Sequence, residues 1–156
     1  MHQRKFLWPM ITLVQKIGAF SIASAMILFV AAGCATMAGM SEGIKVALTG
    51  DQEVPPVKTS ASGSGTFVIS ADKSVSGSVT TSGVAATAAH IHEAPAGKNG
   101  PVIVPLTKTA DNTWSVAAGA KLTDAQYASY LAGNLYVNVH SAANKGGEIR
   151  AQLTPK

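Results

Sequence analysis

Short segments in which apolar residues alternate with polar or small ones follow one another from Ile44 onwards. In the first of them, GIKVALTGD, the apolar residues Ile44, Val46 and Leu48 occupy every second position. Because successive side chains of a strand point to opposite faces, this spacing predicts a strand with one apolar face. Seven more segments have a similar character: GTFVISAD, SVSGSVTTSG, AATAAHIHEA, PVIVPLTK, TWSVAAG, NLYVNVHS and GEIRAQLT. Glycine, proline and aspartate between them predict turns, so the sequence indicates an all-β sandwich or barrel.

One segment, LTDAQYASYLAG, departs from the alternation. Its apolar residues recur at helical spacing, Thr123 or Asp124 offers a cap for the first turn, and Gly133 offers a stop. These features predict a single short helix that lies before the penultimate strand.

Residues 1–34 have the features of an export signal. Arg4 and Lys5 precede an uncharged apolar run that ends at Cys34, and small residues before this cysteine favour cleavage. The sequence VAAGC resembles the lipobox of bacterial lipoproteins, with Ala31 in place of the usual leucine. We therefore expect lipidation of Cys34 and an anchor in the bacterial membrane, facing the periplasm or the exterior. Cleavage after Ala38, which would release a secreted form, and a retained membrane helix are the alternatives.

Removal of this signal changes the charge balance. The full chain has 12 basic and 8 acidic residues, a net charge of +4. Arg4, Lys5 and Lys16 belong to the signal, so the remainder carries nine basic residues against the same eight acidic ones, a net charge of +1. A nucleic-acid-binding domain needs a basic patch, so we expect no nucleic-acid partner. Residues 35–43 are then predicted to be a short tether, and residues 44–156 one domain.

The histidines are the residues whose pattern points to a chemistry. His90 and His92 stand two positions apart in one predicted strand, so they share a face while Ile91 faces the other side. His140, near the end of NLYVNVHS, shares a face with Asn138. Neutral imidazole is a common ligand of copper and zinc, and three rings leave one position open. The sequence therefore suggests a copper or zinc site if the two strands are neighbours; a purely structural role for all three histidines is the alternative.

Three further polar residues belong to the same part of the sequence. Asn138 is a candidate for a hydrogen bond that supports His140. Glu148 and Arg150 share a face of the last strand, where we expect them to form a buried ion pair. Two alternatives are that Glu148 is a fourth metal ligand and that Arg150 steers an anion to the metal.

Several motifs, in this order along the chain, resemble the CHRD domain, a family named from chordin and widespread among bacterial exported proteins. They are QEVPPV, AHIH, GKNGPV, GNLYVNVHS and GGEIRAQL, at Gln52–Val57, Ala89–His92, Gly97–Val102, Gly133–Ser141 and Gly146–Leu153. The chain departs from the family pattern at Glu93, Ser141 and Ala151, and none of these departures removes a histidine.

The resemblance implies an immunoglobulin-like, Greek-key β-sandwich outside the cytoplasm, without a settled activity. The HIH strand followed by an NVH strand is also similar to the copper-ligand pattern of copper–zinc superoxide dismutase, which is itself a Greek-key sandwich. No histidine remains here to bridge to a zinc ion, and the chain has a single cysteine, so no disulfide is possible within it.

These observations predict an extracytoplasmic CHRD-domain protein that binds copper, or zinc, through His90, His92 and His140 for metal handling or protection. The alternative is a metal-free β-sandwich interaction module of the cell envelope, with a protein partner that the sequence does not identify. Such a module would expose an apolar patch or a strand edge. An enzymatic role is the less favoured outcome, and would be that of a copper-dependent oxidoreductase such as superoxide dismutase.

Overall fold

Eight strands and one α-helix form the fold within residues 43–155, the part of the chain that the structure, a computed structural model, describes. In chain order they are β1 (Ile44–Thr49), β2 (Ser62–Ile69), β3 (Val75–Ser82), β4 (Ala86–Glu93), β5 (Val102–Ala110), β6 (Thr113–Val116), α1 (Asp124–Leu131), β7 (Leu135–Ser141) and β8 (Ile149–Leu153). A single turn of 3-10 helix, Gly50–Gln52, follows β1. The helix lies before the penultimate strand, as predicted.

The predicted export signal and Cys34 lie outside the described residues, as does the tether except for its last residue. Among the helices of residues 43–155, none has the length and apolar character needed to cross a bilayer.

The eight strands form one antiparallel sheet that closes on itself in the order β1-β2-β3-β6-β5-β4-β7-β8. The first and last strands meet where Thr49 pairs with Arg150, and β3 meets β6 where Val79 pairs with Trp114. The all-β class is thus confirmed. The sheet closes into a barrel, one of the two forms that the strand pattern indicated, rather than the sandwich that the family resemblance implied. The difference has a physical reason, since closure gives partners to the backbone groups that free sheet edges would expose.

Alternate residues of the strands fill the inside of the barrel. In β1, Ile44, Val46 and Leu48 are buried while the residues between them face outwards. The side chains at the centre of the core have no exposed surface: Leu48, Phe67, Val79, Ile91, Leu135, Val137, Val139, Ile149 and Leu153. In a domain without a disulfide, this apolar burial is the main stabilising contribution.

Helix α1 fixes the point at which β7 begins. Thr123 starts the helix with a capping box: its Oγ1 accepts from the Gln126 backbone N–H at 3.2 Å, and its own backbone N–H donates to Gln126 Oε1 at 2.9 Å. Gly133 leaves the helix with a φ of +74°, a conformation that glycine adopts without strain. Ser129 Oγ donates to Glu93 Oε1 and thereby ties the helix to the end of β4.

Two connections cover the outer face of β4, β7 and β8. One is segment 50–61 between β1 and β2, and the other is segment 94–101 between β4 and β5. Asn99 Nδ2 donates to Val54 O at 2.7 Å and joins the two segments, while Arg150 Nη1 donates to Lys98 O at 2.9 Å and joins the second of them to β8. As a result, β7 is buried on both faces at every position except His140.

Candidate metal centre

The register of β4 against β7 brings the three histidines together. Ala88 pairs with His140 and His90 pairs with Asn138, so His140 lies two residue pairs along the ladder from His90, on the same outer face. Ile91, which lies between the two histidines of β4, points into the core and has no exposed surface. The alternation of strand side chains therefore separates the histidines from the apolar interior.

The ligand atoms of the three rings converge. One nitrogen of each histidine lies within 4.8 Å of the others, and His90 Nδ1 is 3.0 Å from His140 Nε2. Two nitrogens that share an ion at about 2.0–2.1 Å lie roughly 3.3–3.6 Å apart at tetrahedral to trigonal angles. The His90–His140 pair is therefore close to the spacing that one ion requires, and the widest pair needs a ring movement of about an ångström.

Backbone carbonyls decide which nitrogen of two of the rings can bind a metal. His92 Nδ1 lies 2.9 Å from Gly100 O, and His140 Nδ1 lies 2.9 Å from Lys145 O. Because a carbonyl oxygen only accepts, both Nδ1 atoms carry the proton and both Nε2 atoms have a lone pair. The lone pair of His140 Nε2 accepts from His90 Nδ1–H, so His90 must move its proton to Nε2 before its Nδ1 can bind a metal. The Nε2 of His92 is buried and has no hydrogen-bond partner within the described residues. A lone pair in that position suits a cation.

Electrostatics keep two of the rings neutral. Burial lowers the pKa of His90, and the neighbouring His140 and His92 lower it further. Burial also lowers the pKa of His92, against an opposing contribution from the hydrogen bond to Gly100. Neutral imidazole is the form that binds a metal, so these rings stay in the ligating state at neutral pH.

His92 stacks on Tyr136, which in turn stacks on Arg150. The rings of His92 and Tyr136 are parallel to within 8° at a centroid distance of 4.8 Å, and the guanidinium carbon of Arg150 lies 3.4 Å from the centre of the Tyr136 ring on β7. The Tyr136 hydroxyl accepts from the Gly100 N–H at 3.3 Å. The peptide groups of Gly100 thus fix both His92 and Tyr136, and a Cβ at Gly100 would lie 1.9 Å from Glu93 O.

The sequence pattern did not indicate that Tyr136, Gly100 and Glu53 belong to this region. Tyr136 shares the outer face with Asn138 and His140, which is the signal that could have indicated it. The contribution of Gly100 depends on the path of segment 94–101. Glu53 belongs to segment 50–61 and is 4 % exposed. Its burial depends on long-range packing that the local pattern does not reveal.

Of the three predicted auxiliary residues, Asn138 lies beside His92 and acts on its pKa, whereas Glu148 and Arg150 form hydrogen bonds outside the histidine cluster. Asn138 is 1 % exposed and donates to Gly146 O at 3.4 Å rather than to His140. Glu148 accepts from Thr59 Oγ1 at 2.8 Å and does not belong to the histidine cluster.

The predicted ion pair between Glu148 and Arg150 is wrong. Within the described residues no carboxylate oxygen lies within 4.0 Å of the Arg150 guanidinium. The reason is that Glu148 precedes β8 and contacts segment 50–61, whereas Arg150 lies within β8 and reaches segment 94–101.

A cavity of about 410 Å³ gives access to the three histidines. Its wall includes Thr87, Val102 and Lys145. His90 and His140 are half-buried and His92 is buried. The rings can therefore hold an ion on one side while a further ligand position faces the cavity.

The closed barrel with a histidine cluster on its covered outer face defines an all-β module with a candidate metal centre. The family model of the CHRD domain matches residues 44–153. The chain therefore belongs to the CHRD-domain family, as its sequence motifs indicated. No significant match exists among curated proteins or among solved structures.

Proposed function

We propose that this CHRD-domain protein binds one copper ion, with zinc as the alternative, through His90 Nδ1, His92 Nε2 and His140 Nε2. The observation that carries the proposal is the buried His92 Nε2, which has no partner within the described residues and lies where the other two rings converge. A buried polar atom without a partner costs about 1–3 kcal/mol. A metal ion would remove this cost and would complete the set of ligands.

Within this proposal the bound ion serves metal handling or protection, and a copper-dependent oxidoreductase is the less favoured role. Within residues 43–155 the cluster consists of histidines alone, without a carboxylate. A bound copper ion would supply redox and Lewis-acid chemistry. The residues of the chain hold the rings in place, keep two of them neutral, and restrict access to one side.

The site is part of a wider proposal about location. We place the domain outside the cytoplasm, exported by residues 1–34 and held to the membrane by a lipid on Cys34 through the tether of residues 35–43. Membership of a family that is widespread among exported proteins supports this location. Mass spectrometry of the mature N-terminus would test it: a diacylglyceryl mass on Cys34 supports the anchor, and an unmodified N-terminus after Ala38 indicates a secreted form.

The Greek-key part of the fold expectation also remains a proposal. Its support is the strand order, in which β7 returns to lie beside β4 after the consecutive strands β4, β5 and β6. This is the order that defines a Greek key.

Metal analysis of protein purified without a histidine tag tests the ligand set. We expect one equivalent of copper per wild-type chain and none in a His90→Ala, His92→Ala double variant. Ile91→Val is the matched control, because it changes the residue between the two histidines but faces the core, and it should bind one equivalent. An unchanged stoichiometry in the double variant would disprove the ligand assignment.

The alternative, a metal-free interaction module, has weaker support. A docking module is expected to expose an apolar patch or a strand edge. Within residues 43–155 the barrel is closed, and Val102 and Leu131 are the large apolar side chains that are exposed. Partner binding that persists in the double histidine variant would favour this alternative.

A further inference from the structure

A second cavity, of about 470 Å³, lies between segments 50–61 and 94–101 and is floored by β8. It shares no lining residue with the cavity at the histidines. Arg150 and Gln152 line it from β8, and Val54, Pro56 and Ala96 line it from the two segments. The cavity is within the size range of small-molecule sites, which are mostly apolar with a few placed polar groups.

Arg150 is a buried cation with no carboxylate of the described residues in ion-pair contact, and Glu53 acts on it only through space. It is 2 % exposed, and its Nη1 donates to Lys98 O at 2.9 Å and to Asn99 Oδ1 at 3.3 Å. Its Nη2 donates to Gln152 Oε1 at 3.4 Å. All these acceptors are neutral, and no carboxylate of the described residues forms an ion pair with Arg150. Burying a charge without a counter-ion in contact is costly, so the arrangement favours an added anion.

The free donors of Arg150 are well placed for a carboxylate. No acceptor of the described residues is in hydrogen-bond reach of its Nε–H. Tyr136 packs against the guanidinium at 3.4 Å and restricts its orientation. Gln152 Nε2 donates to Gly133 O at 2.8 Å and to Ala94 O at 3.0 Å, so the oxygen of this amide is held towards Arg150. A planar guanidinium held in this way matches the two oxygens of a carboxylate.

The other polar groups of the cavity limit the charge of a ligand. Asp51 and Glu53 also line it, so a dianion such as phosphate would meet repulsion. The Oε1 of Glu53 is buried without a hydrogen-bond partner within the described residues. Burial raises the pKa of Glu53 to about 7, even though Arg150 lowers it. Near neutral pH this carboxyl group is partly protonated and can itself donate a hydrogen bond.

We propose that this cavity binds a small organic monocarboxylate. Its carboxylate accepts from Arg150, and its apolar chain lies along Val54, Pro56 and Ala96. This proposal does not depend on the metal site, because the two cavities have separate linings and the ligand contacts none of the three histidines.

Backbone amide NMR of the metal-free mature chain tests the proposal, with butyrate as the probe. We expect saturable one-to-one shifts confined to the backbone amides of Gln52, Gly97 and Gln152, and none with butylamine or inorganic phosphate. Absence of saturable shifts at millimolar butyrate would overturn the proposal. Saturable binding of phosphate in place of butyrate would overturn the assigned ligand class.

Two variants locate the site. Ala96→Phe fills the cavity from an exposed position and should weaken butyrate binding by at least about tenfold, whereas Ala118→Phe, at an exposed position elsewhere, should leave it unchanged. Arg150→Met should abolish binding if it folds, and Ala96→Phe keeps the test decisive if it does not. Equal affinity of Ala96→Phe and wild type would overturn the location, whatever the result of the copper titration.

Discussion

The two faces of strands β4 and β7 differ in how their side chains are held. On the inner face, Ile91 and Val137 pack against other apolar residues and have no exposed surface. On the outer face, His92 and Asn138 are also buried, yet each has a polar atom without a partner within the described residues. Burial of apolar atoms stabilises the barrel, whereas burial of unpartnered polar atoms costs stability. The inner face therefore serves folding, and the outer face is the one for which we propose metal binding.

Ile91→Ala, a change on the inner face, has the largest expected effect: it should lower the free energy of unfolding and leave copper binding unchanged. Truncation of a fully buried isoleucine leaves a cavity, so we expect a loss of about 2–5 kcal/mol in the free energy of unfolding. Denaturant unfolding of the metal-free protein measures it. The folded variant should still bind one equivalent of copper, because its side chain does not reach the histidines.

His90→Ala is the matched change one residue away. It should lose copper while costing less stability than Ile91→Ala, since His90 is half-buried and has no apolar packing of comparable extent. If folded Ile91→Ala lost copper as completely as His90→Ala, the separation of the two faces would be refuted.

Gly100→Ala tests how the outer face is positioned. The added Cβ would lie 1.9 Å from Glu93 O, so segment 94–101 must shift and the carbonyl that orients His92 shifts with it. Loss of such an orienting partner typically weakens metal affinity by about 10–100-fold. A competitive copper titration measures the change.

Gly146→Ala provides the control, because nothing lies within 4 Å of a Cβ built there. It should retain wild-type copper affinity. Equal affinities in the two variants would show that Gly100 does not position the site.

Glu53→Gln has the smallest expected effect. It changes how the free energy of unfolding depends on pH. Burial raises the pKa of Glu53 from 4.5 to about 7, so the folded state binds this proton more tightly than the unfolded state. The stabilisation from protonated Glu53 is full below pH 4.5 and is lost as pH rises through about 7. Relative to Glu53→Gln, the wild type should therefore lose about 1–3 kcal/mol of stability across this interval.

Glu148→Gln should behave in the opposite way. Hydrogen bonds from Ser141 and Thr59 lower the pKa of Glu148, so its contribution is present above pH 4.5 and is lost only as pH falls below that value. Unfolding curves at several pH values distinguish the two carboxylates. Parallel pH profiles for wild type and Glu53→Gln would contradict the raised pKa of Glu53.

Much of the inner face could be predicted from the sequence, because the spacing of apolar residues within each strand shows which of them face the core. Alternation of Ile44, Val46 and Leu48 predicts a strand wherever the strand lies in the barrel. In the same way, Thr123 and Gly133 mark the ends of the helix without reference to the rest of the chain. Closure of the barrel was not predictable in this way, because it depends on contacts between the first and last strands.

The outer face could be predicted only in part. The spacing of His90 and His92 places them on one side of a strand, but their approach to His140 requires β4 and β7 to be neighbours in a particular register. The predicted ion pair between Glu148 and Arg150 was wrong for the same reason, because contacts with distant parts of the chain decide it. Glu148 and Arg150 do not pair because Glu148 precedes β8 and bonds to segment 50–61, whereas Arg150 lies within β8 and bonds to segment 94–101.

The pairing of β1 with β8 has a consequence for the construction of larger proteins. Because these strands are antiparallel neighbours, the chain enters at the start of β1 and leaves at the end of β8 on the same rim of the barrel. The domain is therefore suited to insertion into a surface loop of a host protein. It can equally be permuted, with a short linker across the rim and new ends in an exposed hairpin.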